Sequence, residues 1–265
     1  MTVSPWQRRI QRAQELAGQP GSAAEILGFY IHVARFQQDL HRQLTAAFSK
    51  QSRPVFMNHE IPQPELSELS SRFDSFLGLA ETQGPKQLGE VSRQLRARGS
   101  NFWAELLNNG WTTASLSDAP GFLALAFLQP YAELLRSRAP RCKQSAEALC
   151  PFCHRKPGLG VLRQMGDGAA RSLICSFCLA EWEFRRIVCP GCGEETNQRL
   201  PVFTASDFDY IRVECCDTCQ TYIKTIDLTK NGLADPLVDE LASIPLNLWA
   251  QERGYAKLRP NLLGM

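Results

Sequence analysis

Between residues 24 and 138 apolar side chains recur at three- and four-residue intervals, whereas after residue 150 they alternate in short runs separated by cysteines. The first pattern predicts helices and the second predicts strands. Ser22 and Glu25 fit a capping box ahead of Leu27, Tyr30, Ile31, Ala34, Leu40 and Leu44 at near-helical spacing. Leu66, Leu69, Phe73, Phe76 and Leu77 form a second stripe, and 88–107 holds one or two further helices. A last helix is predicted over 122–138, kinked at Pro130, with loops at 54–64 and 110–121. Such stripes are read as the core of a helical bundle.

Beyond 150 the turn signal Gly166-Asp167-Gly168 lies between runs at 158–165 and 171–174, which predicts a β-hairpin. In 181–188, Trp182, Phe184 and Val188 alternate with Glu181, Glu183 and Arg185, as in a half-buried strand that Arg186 interrupts. A further strand pair is expected over 208–214 and 221–228. Helical spacing returns over 233–255 through Leu237, Leu241, Ile244, Leu248 and Trp249, broken by Pro245. The fold class expected is therefore α+β. An all-helical domain spans 1–140 and two four-cysteine metal modules span 141–187 and 188–231. A C-terminal helix and tail fill 232–265.

Composition sharpens the functional reading. Twenty-nine basic against twenty-seven acidic residues give a net charge of only +2, too balanced for a phosphate-binding surface. No apolar run approaches the roughly 18 residues that span a bilayer, so no membrane insertion is expected. The N-terminal MTVSPWQRRIQRAQ lacks the apolar centre of a secretory signal. The chain is thus expected in the cytoplasm, where ten cysteines point to metal binding rather than to disulfides.

Eight of the ten form four C-x-x-C pairs: Cys150/Cys153, Cys175/Cys178, Cys189/Cys192 and Cys216/Cys219. Two intervening residues let a tight turn aim both sulfurs at one ion, and two such knuckles complete a tetrahedral site. With 21 residues between the first two knuckles and 23 between the last two, close to zinc-ribbon spacing, sequential pairing is favoured. It gives one site of Cys150, Cys153, Cys175 and Cys178 and a second of Cys189, Cys192, Cys216 and Cys219. Interleaved pairing would need a crossed hairpin. Cys215 and His154 stay open as substitute ligands, and Cys142 reads as a spare thiol. His32, His41 and His59 form no cluster.

Four thiolates suit either zinc or a rubredoxin-type single iron. A closed S4 shell leaves no open position for substrate or water, so hydrolytic chemistry is not expected, while electron transfer by iron needs none. Residues 150–230 carry ten basic and ten acidic side chains. Each divalent metal with four thiolates adds about −2, which disfavours nucleic acid as a partner. Neither G-x-x-x-x-G-K-[ST] nor G-x-G-x-x-G occurs, so no nucleotide is expected. No nucleophile-and-base grouping stands out, and the chain is read as a non-enzyme. Trp182 and Tyr222 are read as core residues, with contact to a partner as the alternative. Arg185 and Arg186 form a solvated face or meet an acidic partner.

The segments CPFCHRKPG, LICSFCLAEWEFRRIVCPGCGE, ECCDTCQTYIKTIDL and DELASIPLNLWAQERGYAKLRPN, with LQPYAELL at 128–135, resemble the FdhE family of formate dehydrogenase accessory (formation) proteins. The resemblance covers about residues 125–262. Family members are typically somewhat longer, which reads as trimming at the N-terminus and in loops. The resemblance implies two rubredoxin-like modules after a helical domain, with iron the expected metal and zinc the alternative. It also implies a cytoplasmic, non-catalytic role in maturing respiratory formate dehydrogenase, by binding its catalytic subunit before export. The family's ligand cysteines correspond to the eight above. The competing reading is a rubredoxin-type electron-transfer or redox-sensing protein.

Overall fold

A computed structural model describes residues 4–19, 23–48, 66–113, 118–139 and 147–261. Six helices come first: α1 (Pro5–Ala17), α2 (Ala24–Phe48), α3 (Leu66–Gln83), α4 (Lys86–Arg98), α5 (Ser100–Thr113) and α6 (Ala119–Arg138). The opening of α1 is set locally. Ser4 Oγ accepts from the Gln7 N–H at 3.2 Å, Gln7 Oε1 accepts from the Ser4 N–H at 3.0 Å, and Pro5 starts the helix. The 88–107 stretch resolves into α4 and α5, hinged at Gly99 with φ +78°, a value that favours glycine. The loop expected at 110–121 is shorter, because residues 110–113 finish α5 and 119–121 begin α6. Ser22 of the expected capping pair, the 54–64 loop, His59 and Cys142 lie outside the described residues.

Helix α6 is the centre of the bundle: residues 121–135 are all buried. A helix enclosed on every side has no polar stripe, which accounts for the unbroken FLALAFL run. Phe127 stacks near Phe73 at 5.0 Å and Phe76 at 5.9 Å between ring centroids. Pro130 lies inside α6 and has no N–H for the Ala126 carbonyl. Gln37 of α2 supplies the missing donor from Nε2 at 2.6 Å. Arg9 and Glu133 form a buried fork between α1 and α6 at 3.1 and 3.2 Å.

The second half is a mixed sheet of β1 (Pro157–Met165), β2 (Gly168–Cys175), β3 (Glu181–Glu183), β4 (Val202–Phe203), β5 (Ile211–Cys216), β6 (Thr221–Asp227) and β7 (Ala256–Lys257). Its order is β3-β2-β1-β6-β5-β4, with β7 alongside β6. Each half repeats one plan: a knuckle, two antiparallel strands, a second knuckle, then a third strand. The halves join where β1 runs parallel to β6, with Gly160 opposite Thr225. A Cβ at Gly160 would stand 2.3 Å from Thr225 Oγ1, so this junction requires glycine.

The hairpin turns at Gly166-Asp167, with Met165 paired to Gly168. The strand expected over 181–188 is ordered as strand only to Glu183. Beyond it the Phe184 N–H still donates to the Arg171 carbonyl, after which the chain leaves the sheet edge toward Cys189. Trp182, Phe184 and Val188 are nonetheless all buried. One C-terminal helix was expected, and two are found, α7 (Pro236–Ala242) and α8 (Ile244–Glu252), separated at Ser243 ahead of Pro245. They cover one sheet face. Leu246 and Ala250 pack on Ile211, Val213, Tyr222 and Ile226, and Leu237 packs near Leu159 and Val161. Leu248 points outward, half exposed. Beneath α7, Glu240 is enclosed by Lys224, Lys257 and Asn261.

Candidate metal centres

The four knuckles share one backbone shape. In each, the residue following the second cysteine has a left-handed φ: His154 +53°, Leu179 +54°, Gly193 +79° and Gln220 +53°. That turn brings the chain back under the sulfurs. The His154 N–H donates to the Cys150 carbonyl at 3.0 Å and the Gly193 N–H to the Cys189 carbonyl at 2.9 Å. The N–H two positions past the first cysteine points at its sulfur: Phe152 to Cys150 Sγ at 3.5 Å, Phe177 to Cys175 Sγ at 3.4 Å and Gly191 to Cys189 Sγ at 3.3 Å. Such bonds orient a thiolate and draw charge from it. Only Gly193 advertises a positive φ by residue type, so this shared feature was hidden in the sequence.

The sulfurs gather into two groups, Cys150, Cys153, Cys175 and Cys178 in one, and Cys189, Cys192, Cys216 and Cys219 in the other. Within each group all four lie inside 4.8 Å of one another. The grouping is sequential, with no crossed hairpin. Cys150–Cys178 and Cys153–Cys175 are 3.5 and 3.3 Å apart, and Cys189–Cys219 and Cys192–Cys216 are both 3.7 Å apart. A metal–sulfur length of about 2.3 Å in a tetrahedron demands sulfurs about 3.8 Å apart. All are far beyond a disulfide bond of about 2.05 Å. The donor set therefore fits two single metal ions, zinc or iron, bound through four sulfurs each.

Cys215 is not part of either group. Successive residues of β5 face opposite sides, so Cys216 meets the second site while Cys215 packs with Val213 and Tyr222 beneath α8. Burial, followed by the nearby Asp217, pushes its thiol up to about 12. His154 supplies the left-handed turn position and lies outside both groups. His41 packs on Trp6, with burial lowering its imidazole.

The two sites have different surroundings. Cys150, Cys175 and Cys178 belong to the same apolar core as Phe73, Trp103, Leu107 and Phe127 of the helices. Arg155, which no local sequence signal marks, stacks its guanidinium 3.7 Å from the Phe177 ring centroid and bonds the end of α5. In the second group Cys192 is exposed and Cys219 half-buried. Thr218 and Glu194, one from each knuckle, are bridged by a 2.6 Å hydrogen bond across that site.

Protonated, the first group is in conflict. Hydrogen bonds from Cys150, Cys175 and Cys178 hold the Cys153 thiol far below its ordinary range, while burial pushes Cys175 well above it. At the second site burial raises Cys189 to about 12. Cys219 is also raised by burial, but the Thr221 hydroxyl and neighbouring sulfurs bring it down to about 7. A dication in place of the thiol protons removes the conflict at each site.

The family models "FdhE, central domain" and "FdhE, C-terminal domain" match residues 149–186 and 187–263, so each model takes in one four-cysteine group. A protein named FdhE homolog from Aquifex aeolicus is 30% identical over 253 residues, covering 91% of this chain and 88% of its own. The chain belongs to the FdhE family. Another FdhE homolog, from Pseudomonas putida, is 28% identical over 280 residues, covering 96% of this chain and 86% of its own. The crystal structure of the FdhE protein from Pseudomonas aeruginosa superposes with a TM-score of 0.70 at 25% identity, over 99% of this chain and 97% of that one. The sequence resemblance covered about residues 125–262, and the structural match extends over the helical half as well. No helix among the described residues is long and apolar enough to cross a membrane.

Proposed function

We propose that the protein is a metal-binding accessory factor in the assembly of respiratory formate dehydrogenase, acting in the cytoplasm by binding the catalytic subunit before export. The observation that carries this reading is the pair of closed four-sulfur groups set in an FdhE-family chain. In it, Cys150, Cys153, Cys175 and Cys178 hold one metal and Cys189, Cys192, Cys216 and Cys219 hold the other. Iron is the expected metal, and zinc fits the same donors. The metals hold the modules in shape. With four thiolates on each, neither has a free position for catalysis, so the protein is a binding partner and not an enzyme. Residues 1–140 serve as scaffold, 141–187 and 188–231 as metal modules, and 232–265 as the closing segment. The equal numbers of basic and acidic residues over 150–230 support a protein partner over a nucleic acid.

Deleting the gene tests the reading. Formate dehydrogenase activity is expected to vanish while its transcript stays at the normal level, and unchanged activity in the deletion strain would refute it. A second reading, electron transfer or redox sensing by rubredoxin-type iron, is favoured by the exposure of Cys192, which brings the second site to the surface. A reversible iron couple with a fast partner supports that alternative, and colourless zinc eliminates it.

A further inference from the structure

The sheet face opposite α8 is treated differently in its two halves. In the first half it packs through Leu173 into the helical core. In the second half the same face carries Arg212, Glu214 and Cys216 of β5 beside Thr221 and Ile223 of β6, paired as Glu214 to Ile223 and Cys216 to Thr221. No α-helical residue lines it. Instead, residues 186–190, Asn197 and Leu200 border a cleft of about 360 Å³ that reaches Cys189 and Cys216.

Three arginines, Arg171, Arg186 and Arg212, line this cleft against a single acid, Glu214. Arg171 is buried and takes up that acid, with Nη2 2.6 Å from Glu214 Oε2. Its Nε has no partner. Arg212 makes no side-chain hydrogen bond or ion pair among the described residues, and Arg186 has one long contact, 3.5 Å to the Ala169 carbonyl. Arg186 and Arg212 are therefore left without a carboxylate partner at the cleft, where the sulfurs of Cys189 and Cys216 carry the remaining negative charge. Ile187 and Val202 stand at its lip, 54% and 45% exposed. Val202 is on β4, a two-residue strand at the end of the sheet order that pairs only with β5 among the described residues, so no strand occupies its outer side.

We propose that this cleft docks an extended acidic segment of the client protein, its carboxylates on Arg186 and Arg212 and an apolar side chain between Ile187 and Val202. The proposal rests on the assembly reading above and locates the contact beside the second metal site. Electrostatic complementarity of this kind makes binding fall with salt.

The test titrates purified formate dehydrogenase catalytic subunit into the full metal-loaded chain, comparing wild type with an Arg186→Glu, Arg212→Gln double variant and with Ile187→Asp. Metal content and melting temperature are measured on each. Wild-type binding that weakens with salt, and weakens at least tenfold in both variants with metal content unchanged, is the expected result. Equal affinity in wild type and variants overturns the cleft and leaves the assembly reading intact. Metal loss in the double variant, with Ile187→Asp binding normally, assigns the arginines to charge balance at the thiolates and also overturns it. Absence of any binding by wild type overturns both.

Discussion

Arg155 donates a 2.6 Å hydrogen bond from Nη2 to the carbonyl of Trp111, and the same nitrogen lies 2.8 Å from the carbonyl of Gly110. Two residues past Cys153, this guanidinium closes the last turn of α5, where unpaired carbonyls favour a cation. The first metal module is thereby fastened to the helical half by a charged, buried contact. Arg155→Met keeps much of the packing on Phe177 but removes both bonds and leaves two carbonyls unmet. Chemical denaturation is expected to show a loss of about 2–4 kcal/mol. A loss below about 0.5 kcal/mol, the range of ordinary surface changes, would contradict the role.

The Gln37 side chain substitutes for the N–H that Pro130 lacks. Gln37→Leu should cost about 1–3 kcal/mol by leaving the Ala126 carbonyl unbonded in the core. Pro130→Ala restores a backbone donor for that carbonyl, so in the Gln37→Leu background it should recover a large part of the loss. A double-mutant cycle reads the coupling directly, and additive effects would show that the two residues are independent.

Much of this architecture was legible in sequence, for local reasons. A C-x-x-C knuckle needs only six residues to form, and the spacing between knuckles allows one hairpin, so the sulfur grouping followed from the cysteines alone. The Gly166-Asp167 turn and the alternation of Trp182, Phe184 and Val188 were equally local. What depended on distant chain was not legible. The parallel contact of β1 with β6 rests on Gly160 meeting Thr225, 65 positions apart by register, and nothing in β1 announces it. The strand at 181–188 was read too long because alternating burial continues after the hydrogen-bond ladder stops. Arg155 has its partners, the carbonyls of Gly110 and Trp111, in α5, a part of the chain about 45 residues away. The capping box at Ser4 and Gln7 is local and stands in the sequence as S-x-x-Q.

The buried Glu240 gives the fold a pH dependence of defined sign. Burial alone raises its carboxyl, but the ammoniums of Lys224 and Lys257 hold it down at about 2. A carboxyl depressed in the fold adds stability that is present above its ordinary range near pH 4.5 and is lost as pH falls toward about 2. The contribution is on the order of 3 kcal/mol. Glu240→Gln should therefore lower stability at pH 7, and its difference from wild type should shrink steadily below pH 4.5. Acid release of metal is common to both proteins and leaves the difference intact. A difference constant from pH 7 to pH 3 would contradict the assignment.

The unequal settings of the two sulfur groups predict unequal consequences of breaking them. Cys178→Ser strikes a residue in the core shared with the helices, so loss of that metal should broaden or abolish the whole unfolding transition. Cys192→Ser strikes the exposed site and should release one metal while the helical signal in circular dichroism is retained. Equal damage from both substitutions would show that the sites are energetically equivalent.

The most direct test of the two-metal account is elemental analysis, with an absorption spectrum, of protein purified without air. Two metal ions per chain are expected, with thiolate-to-iron bands if both are the iron proposed. Two zincs and no visible absorption would keep both sites and contradict iron. Fewer than two metals in the folded wild-type chain, with none bound on addition, would contradict the account itself.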